Sequence, residues 1–296
     1  MTGPVLVAGA SGFVGRRLCP ALAEAGHDVR AMTRHPDTYQ GAGVAVFGDV
    51  HDPGTLTDAL SGCSVAYYLV HSLDSKDFQR LDAEAARAFG RAAAEAGVEQ
   101  IIYLGGLGSD SDNLSAHLRS RREVEGLLGS AGVPVTVLRA GILIGSGGLS
   151  WEITRQLVDH LPAMVTPRWV STRTQPIAID DVIRYLVGIC DKDEALGQVY
   201  EIGGPDQLSY VDMLRLAAQS GTGRVVTIIP VPVLTPRLSS YWLALVTDVD
   251  VTTGRNLIDS MGVEVVVTEQ RIRELVPGEP LTYVEAVRRA LAEGGS

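Results

Sequence analysis

The chain has 296 residues, of which 46% are hydrophobic and 20% charged, with a net charge of −10. That length buries the core of one extended domain, and the acidic surplus excludes a nucleic-acid partner, whose phosphates call for a lysine- and arginine-rich surface. No run reaches the about 18 apolar residues of a membrane-spanning helix. Cys19, Cys63 and Cys190 are widely spaced, form no CxxC and cannot all pair, so a reducing, cytoplasmic compartment is expected. Met1 runs almost directly into apolar Val5-Leu6-Val7-Ala8, so no signal peptide is expected.

Short apolar runs then alternate with helical patterns. Strands are predicted at Val5–Ala8, Asp28–Met32, Val44–Phe47, Val65–Val70, Ile101–Leu104 and Val135–Leu138. Helices are predicted at Phe13–Ala25, Pro53–Leu60, Phe78–Ala96, Leu114–Leu128 and Trp151–His160. Strand–helix alternation implies parallel βαβ units, and continuous apolar strands imply a sheet covered on both faces. Gly26, Gly97 and Gly129 or Gly132 follow helices where a left-handed cap is wanted. The fold class is therefore α/β, a doubly wound Rossmann-type parallel sheet. After Ser146 the pattern loosens and prolines cluster, with helices at Ile179–Cys190, Tyr210–Gln219 and Thr282–Ala292. We read residues 1–146 as the dinucleotide-binding core and 147–296 as a smaller lobe interleaved with it. Tyr241-Trp242 is expected to pack that lobe onto the sheet. The alanine-rich stretch Phe78–Ala96 suits either packing on the chain's own sheet or a homodimer contact, so monomer and homodimer both stay open.

The strongest motif is Gly9-Ala10-Ser11-Gly12-Phe13-Val14-Gly15, which follows a strand and opens a helix. Glycine permits the tight turn and the close approach of backbone to a pyrophosphate, and the helix N-terminus offers free N–H groups to that anion. Gly9, Ser11, Gly12, Phe13, Val14 and Gly15 are thus candidate cofactor residues. An NAD site ordinarily ends the second strand with a carboxylate for the ribose hydroxyls. Here Thr33-Arg34 follows, and a guanidinium suits a 2′-phosphate, so NADP is expected with NAD as the alternative. Arg16 and Arg17 are further candidates for that phosphate.

These residues resemble a family. The glycine loop, Gly48-Asp49-Val50, Tyr68-Leu69-Val70-His71-Ser72, Tyr103-Leu104-Gly105-Gly106-Leu107, His117-Leu118-Arg119-Ser120-Arg121 and Arg139-Ala140-Gly141-Ile142 resemble atypical, extended short-chain dehydrogenase/reductases. Pro167-Arg168-Trp169-Val170 and Thr174-Gln175-Pro176-Ile177-Ala178 point to the YbjT-like branch, beside NmrA-like and complex I assembly-type relatives. The resemblance implies cofactor contacts at Asp49 and Val50 (adenine), and at Leu69, Val70, His71, Leu104, Gly105, Gly106, Arg121, Ala140, Gly141 and Ile142.

That family ordinarily carries Tyr-x-x-x-Lys, in which the phenol exchanges a proton with the substrate carbonyl. In this chain His117 and Arg121 hold those places, one helical turn apart, and the usual upstream hydroxyl falls on Gly105 or Gly106. Two readings follow. His117 donates the proton while Arg121 holds a ribose or substrate anion, making the chain an oxidoreductase acting on a small molecule. Alternatively, catalysis is lost and the chain is a nucleotide-binding sensor or assembly factor. His71 lies where the crevice of such a sheet opens, and Arg168, Trp169 and Arg173 could clamp a planar or anionic substrate. His27, His35, His51, His71, His117 and His160 form no HExxH or HxxxH pair, so no metal is expected, and no GxSxG marks a serine hydrolase.

Overall fold

In the computed structural model the described residues are 3–73, 75–108, 114–161, 163–223, 226–231, 247 and 251–295. Tyr241 and Trp242 lie outside them. In chain order the first half runs β1 (Val5–Ala8), α1 (Gly15–Glu24), β2 (Val29–Thr33), β3 (Val44–Phe47), α2 (Leu56–Leu60), β4 (Val65–Tyr68), α3 (Phe78–Glu95), β5 (Gln100–Gly106), α4 (Ala116–Leu128) and β6 (Val135–Ala140). The second half runs β7 (Leu143–Ile144), α5 (Leu149–His160), β8 (Ala163–Pro167), β9 (Arg173–Thr174), β10 (Ile177–Ala178), α6 (Ile179–Gly188), β11 (Val199–Ile202), β12 (Leu208–Ser209), α7 (Tyr210–Gly221), β13 (Thr227–Val231), α8 (Val251–Met261), α9 (Ile272–Leu275) and α10 (Tyr283–Gly294).

Seven of these strands form one parallel sheet in the order β11-β6-β5-β4-β1-β2-β3. This is the doubly wound architecture that the alternation predicts. Residues alternate across the sheet, so each face has its own core. Val5, Val7, Val65 and Tyr67 pack beneath α1 and α6. Leu6, Ala8, Ala66 and Tyr68 pack beneath α2, α3 and α4. The alanine-rich α3 lies close on α4: a Cβ on Gly90 would stand 2.3 Å from the Leu128 carbonyl oxygen. The small residues therefore permit a contact within the chain. Chain order reverses between β1 and β4, and that switch point opens a crevice beyond their C-terminal ends.

The second half returns to the sheet, because β11 pairs with β6 and α6 covers the α1 face. Strand β11 escapes the sequence reading because it alternates buried and half-buried residues at a sheet edge, unlike the fully apolar inner strands. Helix α8 escapes it because Val251, Thr252, Thr253 and Gly254 are weak helix formers. A separate core joins α5, α7 and α10 through Trp151, Tyr210, Met213 and Tyr283. Gly26 and Gly97 cap their helices at φ of 92° and 75°. Gly129 is right-handed, and Gly132 takes the positive φ instead. All three cysteines are buried thiols. Among the described residues no helix is long and apolar enough to cross a membrane.

Candidate functional site

A cavity of about 650 Å3 opens at the switch point. One end is the glycine loop between β1 and α1, and the other reaches into the core of α5, α7 and α8. Gly9 turns at φ of 87°, which a side chain resists. Gly15 lies so close to the strand that a Cβ there would stand 2.2 Å from the Gly9 oxygen. Helix α1 has no side-chain cap and no acid in its first turn. The N–H groups of Phe13 and Val14, both at the cavity wall, have no partner among the described residues. Orphan donors, a positive helix end and glycine walls fit a dinucleotide pyrophosphate.

His117 and Arg121 both line this cavity from α4. Arg121 donates from Nε to His117 Nε2 at 3.4 Å and from a terminal nitrogen to the Tyr103 hydroxyl at 3.5 Å. Because His117 Nε2 accepts, its proton sits on Nδ1, 3.4 Å from Ser260 Oγ on α8. Ser260 in turn donates to the Asn256 carbonyl at 3.0 Å. Burial, then the Arg121 charge, then His71 push the His117 pKa down to about 3. The ring is thus neutral at physiological pH, which argues against the imidazolium donor expected from the sequence. A side chain at Gly106 would press on Leu118, whose δ-carbon would stand 2.9 Å from the added Cβ. The neighbouring Arg139 and Arg122 share one carboxylate, reaching Glu125 at 2.7 and 3.5 Å. Arg121 has no carboxylate within ion-pair distance among the described residues.

The neutral ring sets a pH dependence. Unfolded, His117 takes its proton near pH 6.5; folded, near pH 3. Between these values the unfolded chain binds the extra proton, so this contribution to stability is full above pH 6.5 and is lost as pH falls toward 3. His117→Gln should therefore lessen the acid sensitivity of the thermal midpoint across that window. Identical slopes for variant and parent would contradict the assignment.

The structure brings Gly9, Gly12, Phe13, Val14, Gly15, Leu69, His71, Leu104, Gly105, Gly106, Ala140, Gly141 and Ile142 together at the cavity wall. Ser11 is exposed on the same loop. Arg34 is exposed directly after β2, with no ion pair to the described residues. Asp49, Val50 and Val70 are not at the wall. Asp49 accepts from the His51 N–H at 2.9 Å, while Val50 packs in the core. Arg16 and Arg17 serve differently from the expectation. Both donate to the Ser146 carbonyl, at 3.0 and 2.9 Å, and Arg17 pairs with Glu293 at 2.6 Å, so they tie α1 to the segment before α5 and to α10. Arg173 is away from the cavity wall and bonds Gln207, so the expected clamp is not assembled through it. Arg168 and Trp169 open a single helical turn, and their side chains lie outside the described residues; Val170 of that turn does line the cavity.

One group of described residues has metal-ligand types: donor atoms of His27, Cys190 and Asp191 lie within 4.8 Å of one another. Burial pushes the Cys190 thiol up to about 12. Sequence reasoning missed Ser260 and the lobe's apolar wall, because residues 143 positions apart carry no local signal.

The comparisons agree with this geometry. The chain is 30% identical over 217 residues to (4-alkanoyl-5-oxo-2,5-dihydrofuran-3-yl)methyl phosphate reductase of Streptomyces griseus, covering 69% of each. It is 28% identical over 195 residues to the ceramide reductase of Caulobacter vibrioides, covering 64% of this chain and 61% of that one. It resembles in fold the Escherichia coli NADPH-dependent quinone oxidoreductase complexed with NADPH, with a TM-score of 0.79 and 20% identity over 96% of this chain and 98% of that one. The family model described as NAD(P)H-binding matches residues 9–168, more than half the chain and the whole of the glycine-loop end of the cavity. With that match and the glycine-loop geometry, the chain belongs to the NAD(P)H-binding family, and reductases are among the proteins it resembles.

Proposed function

We propose that the chain is an NADPH-dependent reductase of conjugated carbonyl compounds, in which Arg121 holds the oxyanion formed on hydride delivery. The observation that carries this reading is the Arg121 guanidinium, part-buried at the cavity wall and paired to no described carboxylate. A fixed cation aimed at developing charge in a water-poor site is among the strongest catalytic devices. Two of the relatives are reductases, which supports the reaction class.

Gly9, Ser11, Gly12, Phe13, Val14 and Gly15 hold the pyrophosphate, and Arg34 the 2′-phosphate. Leu69, His71, Leu104, Gly105, Gly106, Ala140, Gly141 and Ile142 surround the nicotinamide half. When bound, NADPH would supply the hydride for the acceptor's β-carbon; the enolate so formed would carry its charge on the carbonyl oxygen until its α-carbon takes a proton from water. Arg121 binds that oxygen through a guanidinium that never gives up its own proton. His117 orients Arg121 by accepting from Nε, and Ser260 fixes the ring's tautomer. Burial raises the Tyr103 pKa, so its phenol stays protonated behind Arg121. Conjugation matters because the neutral His117 ring, in the place of the usual tyrosine, supplies no proton. A delocalised enolate can be held until water arrives.

Purified protein should consume NADPH with straight-chain enones and release the saturated ketone. Tight NADPH binding without consumption of NADPH would overturn the enzyme reading in favour of a nucleotide-binding regulator. Arg34→Ala should weaken NADPH by about 1.5–3 kcal/mol, the range for a charge-assisted hydrogen bond, and barely change NADH. Equal loss for both nucleotides, measured by calorimetry, would remove Arg34 from the 2′-phosphate site.

A further inference from the structure

The cavity runs from the glycine-loop end, past Arg121, into an apolar lobe. Beyond Arg121 its wall passes onto Ile153 of α5, Val170, Met213 and Leu214 of α7, and Ile258 of α8. These side chains are 2–8% exposed and belong to the lobe's own hydrophobic core. The cavity therefore opens into that core rather than into a solvated groove. Protein interiors ordinarily close such space, since unfilled volume forfeits packing contacts.

Charge is distributed just as unevenly. Among the described wall residues, the titratable groups other than Tyr210 are His71, His117 and Arg121, all at the sheet end. The charged residues of α5 turn away from it: Arg155 pairs with Glu152 at 2.9 Å and with Asp159 at 3.3 Å. A phosphate or carboxylate carried deep into the lobe would meet no charged partner among the described wall residues, at a high desolvation cost.

From the apolar depth and the one-ended charge we infer that the substrate is an uncharged ketone or aldehyde bearing a long apolar chain. The carbonyl meets Arg121, and the chain extends among Ile153, Val170, Met213, Leu214 and Ile258. This rests on the reductase reading for the carbonyl end, but the chain's seat is independent of turnover. Binding to a dry apolar chamber strengthens by about fourfold for each methylene taken from water.

The test uses the full chain saturated with NADP+ and straight-chain methyl ketones from butanone to decanone, with binding read by calorimetry. We expect the dissociation constant to fall about threefold to fourfold per methylene along the series, with a negative heat-capacity change that grows with length. Adding a terminal carboxylate to the longest member should abolish the gain. Leu214→Phe narrows the chamber and should compress the ratio of decanone to butanone affinity by about tenfold, the effect of roughly two methylenes. Affinity independent of chain length, or equal affinity for the carboxylated member, overturns the inference. Turnover of the matching enones is a separate measurement. Length-dependent binding without turnover sinks the reductase reading and leaves the chain's seat standing, whereas turnover without length dependence does the reverse.

Discussion

Arg121→Met should lower kcat/KM for enone reduction by about a hundredfold to a thousandfold, or about 2.7–4 kcal/mol of transition-state stabilisation, the range for losing one preorganised oxyanion donor. The expected loss falls mainly on kcat, because the oxygen carries full charge only after hydride delivery. Methionine fills similar volume, so the neighbouring Leu118 and Tyr103 keep their packing. Arg121→Lys should restore only part of the rate, since an ammonium lacks the planar fork that reaches His117 and Tyr103 together. His117→Gln should cost much less, because an amide can still accept from Arg121 and the ring gives no proton in this account. A larger loss for His117→Gln than for Arg121→Met, in steady-state kinetics, would reverse the assignment of roles.

Gly15→Ala has the second large expected effect, on folding rather than chemistry. Its Cβ would stand 2.2 Å from the Gly9 oxygen and 2.7 Å from the Ala10 Cα. Both contacts are backbone, so no side chain can swing aside and α1 must lift from β1. Overpacking of this kind costs about 3 kcal/mol. Urea unfolding should show a lower midpoint at an unchanged slope. Gly12→Ala provides the contrast. Its Cβ meets only the Gly9 oxygen, at 3.2 Å. That variant should fold nearly as well as the parent yet lose most of the stabilisation NADPH gives, about 2.7 kcal/mol when the nucleotide stands at a hundred times its dissociation constant. Equal stability of the Gly15 variant and the parent would mean that the loop is not packed as described.

Much of this molecule can be read from local pattern. The glycine loop combines a strand, a turn and a helix start within a few residues, and the structure places Gly9 and Gly12 to Gly15 at one end of the cavity. The five inner strands declare themselves by their apolar runs, and the edge strand β3 by its apolar Val44-Ala45-Val46-Phe47 although it is largely exposed. Strand β11 does not, because it lies at the edge with Glu201 half exposed. The spacing of His117 and Arg121 correctly puts both on one face of α4. Their chemistry is not legible there: the low pKa of His117 comes from burial and from a charge one turn away, which only packing reveals. Arg16 and Arg17 mislead for a related reason. They sit beside the phosphate loop in sequence, but their guanidinium groups reach the Ser146 carbonyl instead. Ser260 and the apolar wall are invisible because α8 joins α4 across more than a hundred residues.

The proposed reaction is hydride delivery in this cavity to a carbonyl compound held by Arg121. It is tested most directly with NADPH deuterated at nicotinamide C4, a straight-chain enone, and mass spectrometry of the ketone formed. The account predicts one deuterium at the β-carbon, from one face of the nicotinamide only, with label incorporation suppressed in Arg121→Met at matched NADPH occupancy. A protein that binds NADPH yet returns unlabelled enone, or labels it equally well without Arg121, would contradict the account.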